Sequence, residues 1–395
     1  MTEDYIILRA PADPESLPPD ARPADMSGGP AIKAEAAQLT RKEADDAQND
    51  PEVVAVAPSI TLKLIEPVSA ESDNDEADAS AAAAKVTWGV KAVGAHESDY
   101  DGAGITVACL DTGIDPDHPA FAGMDMVRKN FTLGDDDDVH GHGTHCAGTI
   151  CGQAVNGLRI GVAPGVDRLL VGKVLGKGGG SSAKIVEAIQ WAVEQGAHVI
   201  SMSLGIDFPG WVQRRIDGGM PANVATSQAL QDYRKNIELF TTLTSFVNAS
   251  SKTILIGASG NESSRKKTGS GGYVIDVAPP AAGGGIIAVG AMAHKNGKYS
   301  IANFSNSGVD LVGPGVRVKS ARVGGGLTNK NGTSMATPHV AGVAALWAQS
   351  IMEDDGEVSV SILRNRLIGT ASRKYIEASS KKRADVGSGM VQAPR

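Results

Sequence analysis

Residues 105–115 read Ile105-Thr-Val-Ala-Cys-Leu-Asp-Thr-Gly-Ile-Asp115, an uncharged run that ends at an aspartate followed closely by a glycine. Six uncharged, mostly apolar residues in succession are typical of a strand buried on both faces of a sheet. Asp111 then falls at the end of that strand, where the loops of an α/β enzyme carry functional groups. On its own, Asp111-Thr-Gly113 is more often a simple turn, in which glycine supplies a positive φ.

Four further apolar runs follow, and stretches of helical composition separate them. The predicted strands are 168–171, 199–203, 253–257 and 285–289, and the predicted helices are 142–150, 182–195, 225–248 and 334–349. Apolar strands that alternate with helices indicate a parallel sheet with helical crossover connections. The sequence therefore predicts an α/β fold with a central, mostly parallel sheet flanked by helices.

The overall composition is that of an ordinary globular protein. Of 395 residues, 42% are hydrophobic and 21% are charged, which excludes a wholly disordered, collagen-like or fibrous chain. Lys and Arg number 37 and Asp and Glu 45, so the formal net charge is −8. Nucleic acids and anionic membranes both bind to basic surfaces, so we expect neither kind of partner.

Cysteine usage and the first residues bear on the cellular compartment. Cys109, Cys146 and Cys151 are odd in number and show no paired spacing, so we expect reduced thiols rather than a disulfide framework. The first five residues contain two acids, no apolar stretch of a secretory signal follows them, and no run of 18 apolar residues occurs. We therefore expect a cytoplasmic protein, with secretion by another route left open.

An acidic stretch divides the chain. Residues 69–84 contain five acids, no base and no large apolar residue, too little apolar surface to order themselves. Ahead of this stretch, strands are predicted at 5–9, 53–57 and 60–65 and a helix at 31–48. We therefore expect a small α+β module at 1–68, an acidic flexible linker at 69–85 and a large domain at 86–395.

Two more motifs bear reactive side chains. His140-Gly-His-Gly-Thr-His145 clusters three histidines just ahead of Cys146, but a zinc hydrolase would need a further ligand at suitable spacing. Ser334, in the segment 332–342, stands at the start of a predicted helix, where a lone serine is usually a cap.

Taken in chain order, the aspartate, histidine and serine segments resemble those of the subtilisin-like serine proteases, the subtilase family. The resemblance covers residues 86–395 and includes a fourth segment, Ala258-Ser-Gly-Asn-Glu262, at the place of the family's oxyanion asparagine. It implies the family's three-layer α/β fold. It also implies a serine endopeptidase that hydrolyses peptide bonds of polypeptide substrates through an acyl-enzyme.

The resemblance implies a role for each of four residues. Ser334 would be the nucleophile and His142 its base, because a serine hydroxyl attacks poorly without one, and Asp111 would orient His142. The Asn261 side-chain amide, together with the Ser334 backbone N–H, would receive the oxyanion. Cys146, one helical turn after His142, would lie beneath it, either as a small buried filler or as a thiol that mercurials can reach.

Substrate and metal sites are also implied. Ser203-Leu204-Gly205 resembles one side of the family's substrate channel, and Gly178-Gly179-Gly180 resembles the other; both would add backbone hydrogen bonds to an extended peptide. We expect no required cofactor and no metal at the catalytic site. The family's strong calcium site looks degraded, because Ala120 and Val155 stand where oxygen-bearing residues are usual, although calcium remains possible.

The module at 1–68 resembles the inhibitory propeptide that many subtilases carry and cleave. We therefore expect an autoprocessed zymogen, cut between about residues 64 and 84, whose partners are polypeptide substrates and its own propeptide. Residues 206–225 form an extra stretch, expected to be a loop beside the channel. The alternative is a non-catalytic or permanently inhibited peptide-binding protein of the same fold.

Overall fold

The computed structural model describes residues 2–10, 32–68, 85–265 and 271–395. The predicted linker falls almost entirely on residues 69–84, outside the described residues. The strands are β1 Glu3–Arg9, β2 Lys33–Leu39, β3 Val53–Pro58, β4 Thr61–Leu64, β5 Thr106–Asp111, β6 Asp125–Asn130, β7 Arg168–Lys173, β8 Gly180–Ser181, β9 Val199–Met202, β10 Leu204–Ile206, β11 Ile254–Ala258, β12 Ile287–Lys295, β13 Lys298–Ile301, β14 Leu311–Pro314, β15 Val318–Ala321 and β16 Leu327–Lys330. The helices are α1 Arg41–Ala47, α2 Trp88–Ala92, α3 His142–Cys151, α4 Ser182–Glu194, α5 Phe208–Asp217, α6 Ala222–Ser250, α7 Thr333–Asp355, α8 Val360–Thr370 and α9 Arg383–Val386.

The central sheet has the strand order β13-β12-β11-β9-β5-β7-β6, and β14 also pairs with β12. Every pair in it is parallel except β12 with β13. Along β5, Val107 and Cys109 pack in one apolar core with α3 and α7, while Ala108 and Leu110 pack in another with α4 and α6. Helices therefore cover both faces, and the carboxyl ends of β5, β9 and β11 meet at one edge.

The amino-terminal residues form a separate antiparallel sheet, in the order β2-β1-β3. The helix predicted at 31–48 is wrong over its first half, because residues 33–39 are strand β2, paired along the full length of β1. Helix propensity is weak, and pairing with a neighbouring strand overrides it here. Thr40 and Glu43 form a capping box that marks where helix α1 begins.

This small sheet packs on the rest of the protein through one of its faces. Tyr5 and Ile7 belong to a small core of their own with Val56 and Ala44 of α1. Ile6 and Leu8, on the opposite face of β1, are buried in the same apolar core as α4 and α6. The alternation of strand side chains thus divides β1 between its own core and the large domain.

The extra stretch at 206–225 is not the expected loop. Helix α5 occupies half of it, because Asp207 accepts a hydrogen bond from the Gly210 N–H at 3.2 Å and Pro209 lies in the first turn. Trp211 Nε1 donates to Asp232 Oδ2 on α6 at 3.1 Å and fastens the two helices together. None of the described helices has both the length and the apolar character needed to cross a membrane.

Candidate active site

Asp111 and His142 meet at the carboxyl edge of the sheet. Asp111 ends β5 and His142 is the first residue of α3; the distance from His142 Nδ1 to Asp111 Oδ1 is 2.7 Å, and both side chains are buried. The approach needs Gly143, since a Cβ there would lie 2.1 Å from the Gly113 carbonyl oxygen. A buried carboxylate on Nδ1 holds the imidazole in one orientation with Nε2 turned away from the carboxylate.

Ser334 is the second residue of α7 and is fully buried. Its Oγ donates to the carbonyl oxygen of Ile65 at 3.1 Å. His142 Nε2 is buried and makes no hydrogen bond with the described residues. The serine hydroxyl is thus turned toward a segment of the amino-terminal part of the chain.

The Asn261 side chain has a defined orientation. Its Oδ1 accepts from both the N–H and the hydroxyl of Thr333, each at 2.9 Å. The amide nitrogen therefore points the other way, and it donates to the carbonyl oxygen of Glu66 at 2.9 Å. Asn261 and Ser334 thus bind two successive carbonyls of one segment.

That segment begins with strand β4, which lies between β10 and β8 in an antiparallel sheet. Leu64 and Lys63 pair with Leu204 and Gly205, and Leu62 pairs with Gly180 on the other side. A segment of the same polypeptide chain therefore fills the predicted substrate channel.

The glycines of the channel differ in what they do. A Cβ at Gly179 would lie 2.5 Å from the Leu62 carbonyl oxygen, whereas a Cβ at Gly178 would meet nothing within 4 Å, and the pairing of β8 with β4 involves Gly180 and Ser181 rather than Gly178. Ser203 is buried, and its hydroxyl donates to the Ser334 carbonyl at 3.2 Å rather than to the segment. Ser181, which sequence reasoning missed, pairs with Thr61.

Beyond Glu66, the segment continues onto Asn331, a contact that sequence reasoning also missed. The Val68 N–H donates to the Asn331 carbonyl at 2.9 Å, and Asn331 Nδ2 donates to the Val68 carbonyl at 3.1 Å. The available signal was its position immediately before Gly332. Main-chain contacts thus hold the segment on both sides of Ser334.

Comparison with known proteins decides the family. A family model described as the subtilase family matches residues 102–389. The chain belongs to the subtilase family. It is 34% identical over 304 residues to the M-protease of Shouchella clausii strain KSM-K16, and the aligned residues cover 75% of this chain and 68% of that protein. It is also 34% identical over 296 residues to Subtilisin Savinase of Lederbergia lenta, which covers 73% and 93% respectively. The fold and enzyme class predicted from the sequence, a subtilisin-like serine endopeptidase, are confirmed.

In this subtilase, a thiol lies directly under the histidine. Cys146 Sγ is 3.7 Å from His142 Nδ1, and Asp111, His142 and Cys146 form the one cluster among the described residues close enough to hold a metal. Burial, with a further contribution from Asp111, raises the pKa of the Cys146 thiol well above its ordinary value. A metal would need the thiolate and would compete with Asp111 for Nδ1, so the cluster fits a hydrogen-bonded pair over a neutral thiol.

The two positions that bear on calcium do not fit the ion. Ala120 and Val155 have no side-chain oxygen. The Ala120 carbonyl accepts from the Gln153 N–H at 2.8 Å, and Val155 exchanges both backbone hydrogen bonds with Leu158 at 3.0 Å. Calcium takes about six to eight oxygen ligands, and these residues offer it none that is not already engaged.

Asp138 belongs to the acidic run 135–138 but, unlike the three acids before it, is buried beside the active site. Its Oδ1 accepts from the Thr112 hydroxyl at 2.8 Å and from the N–H groups of His140 and Gly141 at 3.0 and 2.8 Å. Its Oδ2 accepts from the N–H and hydroxyl of Thr144 at 2.9 and 2.7 Å. Burial opposes the charge, but the hydrogen bonds led by Thr144 outweigh it and hold the pKa of Asp138 below its usual range.

Proposed function

We propose that this subtilase is made as a zymogen and cleaves its own chain between Ile65 and Glu66, with Ser334, His142 and Asp111 as the catalytic triad. The observation that carries the proposal is the Ile65 carbonyl oxygen, 3.1 Å from Ser334 Oγ, at the end of a strand paired on both sides within the channel. An extended peptide held by main-chain hydrogen bonds is how a protease presents a scissile bond.

The proposed reaction follows from these positions. His142 Nε2 takes the proton of Ser334 as Oγ forms a bond to the Ile65 carbonyl carbon, and the Asp111 carboxylate stabilises the resulting imidazolium. The oxyanion is received by the Ser334 N–H and by Asn261 Nδ2. The bond to the Glu66 nitrogen then breaks, and that nitrogen takes the proton from His142. Water hydrolyses the acyl-enzyme by the same route.

Two movements separate the resting arrangement from reaction. Ser334 Oγ must turn from the Ile65 oxygen to His142 Nε2, which makes no hydrogen bond with the described residues. The Asn261 amide must move from the Glu66 carbonyl to the Ile65 carbonyl, one residue back. Hydrogen bonds of this kind are often poorly aligned before the reacting complex forms.

The proposed inhibitory module, residues 1–68, is held by polar contacts as well as by its apolar face. Asn236 Nδ2 on α6 donates to the Pro58 carbonyl at 3.0 Å, and Lys235 Nζ lies 3.1 Å from Asp45 Oδ1. Arg215 on α5 lies 3.2 Å from the Glu3 carboxylate. These contacts support retention of the module after cleavage, with its carboxyl end still in the channel as an inhibitor.

The test compares the intact mass and the new amino terminus of the purified protein with those of Ser334→Ala and of Ser361→Ala, an exposed serine on α8. Wild type and Ser361→Ala should yield a fragment that begins at Glu66, and Ser334→Ala should stay intact. A fragment that begins at Pro67 would move the cut to the bond whose carbonyl contacts Asn261.

The rival is a permanently blocked peptide-binding protein, and it predicts no cleavage in any variant. It also predicts that added peptides survive and that a serine-directed phosphonyl reagent leaves Ser334 unlabelled. We further propose that catalysis requires no cofactor, so that a chelator leaves the rate unchanged. We also propose a cytoplasmic location, because all three cysteines are free and buried, as suits a reducing compartment.

A further inference from the structure

One side chain of the bound segment meets a carboxylate of the large domain. Lys63 projects from β4 with 62% of its side chain exposed, and its Nζ lies 2.6 Å from Asp207 Oδ2. The Asp207 side chain is only 12% exposed. Asp207 Oδ2 is buried, and apart from this ion pair it makes no hydrogen bond with the described residues. Burying a carboxylate oxygen without a partner costs free energy, so a cation bound at this position is stabilising.

Asp207 is rigidly placed to meet the segment. Its Oδ1 accepts from the Gly210 N–H at 3.2 Å as the cap of α5, which fixes the side-chain torsion. Its own N–H donates to the Thr61 carbonyl at 3.3 Å, as a continuation of the pairing between β10 and β4. Asp207 therefore contacts the segment through both its backbone and its side chain.

The register relates this contact to the reacting bond. Lys63 pairs with Gly205, and Ile65 presents its carbonyl to Ser334, so Lys63 is the third residue before the proposed cut. Leu62 and Ile65 are buried, whereas the Lys63 side chain is exposed and reaches Asp207, the cap residue of α5. The extra stretch at 206–225 thus supplies the group that faces this position.

We infer that Asp207 is a specificity-determining residue, which selects polypeptides with lysine or arginine three residues before the cleaved bond. The inference rests on the proposed function, since it uses the Ile65–Glu66 bond to number the positions. The pairing is partly exposed and therefore modest in size, but a substrate with an acidic residue at that position would bring two carboxylates together.

The experiment uses the matured enzyme and three fluorogenic peptides of sequence Leu-Xaa-Leu-Ile, in which Xaa is lysine, norleucine or glutamate. We expect kcat/KM for lysine to exceed that for norleucine about three- to fivefold, the range of a partly exposed ion pair, and glutamate to be the poorest. The lysine preference should shrink at 1 M salt, where charges are screened over about 3 Å.

Two variants isolate the carboxylate. Asp207→Asn keeps the cap of α5, because asparagine caps helices as well as aspartate does, but removes the charge. Asp217→Asn removes the same charge from the exposed far end of α5. The ratio of kcat/KM for the lysine peptide to that for the norleucine peptide should fall to about one in Asp207→Asn. The same ratio should stay at the wild-type value in Asp217→Asn.

The outcomes separate this inference from the proposed function. Cleavage of the norleucine peptide without any preference for lysine, or a preference that survives in Asp207→Asn, would overturn the role of Asp207 while the protease remains. Failure to cleave all three peptides after the module has been removed would instead contradict the proposed function.

Discussion

Replacing Asp138 by alanine should cost this protein much of its stability at neutral pH. Its carboxylate is 2% exposed and accepts five hydrogen bonds, which join the residue after Asp111 to the start of the helix that carries His142. Alanine leaves those buried donors without an acceptor. Unsatisfied buried donors cost about 1–3 kcal/mol each, but relaxation and water recover part of this, so we expect a net loss of about 3–5 kcal/mol.

The sign of the pH dependence follows from the lowered pKa of Asp138. The unfolded carboxyl titrates near pH 3.9, about the ordinary value for aspartate, and the folded one titrates below it. The stabilisation is therefore present in full above the unfolded pKa and is lost as the pH falls through the folded pKa. The difference in the free energy of unfolding between the protein with Asp138 and the Asp138→Ala variant should be largest near pH 7 and should shrink below about pH 4.

The assay is urea unfolding, followed by circular dichroism at pH 7 and pH 3, in a Ser334→Ala background that prevents self-digestion. Asp135→Ala is the matched control, because Asp135 lies in the same acidic run but is exposed, and it should change the free energy of unfolding by less than about 0.5 kcal/mol. Equal stability of the Asp138→Ala protein and its parent at pH 7, or a deficit that persists undiminished at pH 3, would refute the reasoning.

Two further predictions concern the site and the module. Asn261→Ala should lower kcat about 10²- to 10³-fold with little change in KM, since the proposed role of the amide is to stabilise the oxyanion; the reference case for that loss is itself a subtilisin. A KM effect alone in steady-state kinetics would argue against this role. Arg215→Gln should weaken retention of the cleaved module about tenfold in size-exclusion chromatography, because Arg215 is 10% exposed between the Glu3 and Asp232 carboxylates. Arg214→Gln, an exposed neighbour on α5, should retain the module like wild type.

The sheet and its helices could be predicted from the sequence because burial and periodicity agree there. The run at 105–110 is apolar because both faces of β5 are covered, so pattern and structure have one cause. Strand β2 could not be predicted in this way. Its alanine, lysine and glutamate favour a helix, and only its distant pairing with β1 makes it a strand. The capping box at Thr40 was the local signal that the helix starts later.

The residues of the candidate site also differ in whether they could be predicted from the sequence. Asp111 and His142 could be paired from the sequence through the resemblance of their segments to those of the subtilase family. The fold supplies the physical reason, because Asp111 ends a strand and His142 begins a helix at one edge of a parallel sheet. Asp138 and Asp207 could not be singled out. Asp138 is one of four consecutive acids and Asp207 is a single acid among apolar residues. The importance of each comes from what folding brings to it: five hydrogen-bond donors for Asp138 and Lys63 for Asp207. Asp207 also caps α5, a helix in a stretch that was predicted to be a loop.

The resting contacts also bear on how fast the proposed self-cleavage can be. Ser334 and Asn261 hold the carbonyls of Ile65 and Glu66 respectively, so they do not yet act on the same group. If the hydroxyl attacks while the amide stays on Glu66, the oxyanion at Ile65 has only the Ser334 N–H, and one missing donor costs about 10²- to 10³-fold. If the amide moves first, its hydrogen bond to Glu66 must be given up. The segment can therefore bind in the channel like a substrate and still be cut slowly. Slow cleavage is what allows a segment to inhibit the same active site that cleaves it.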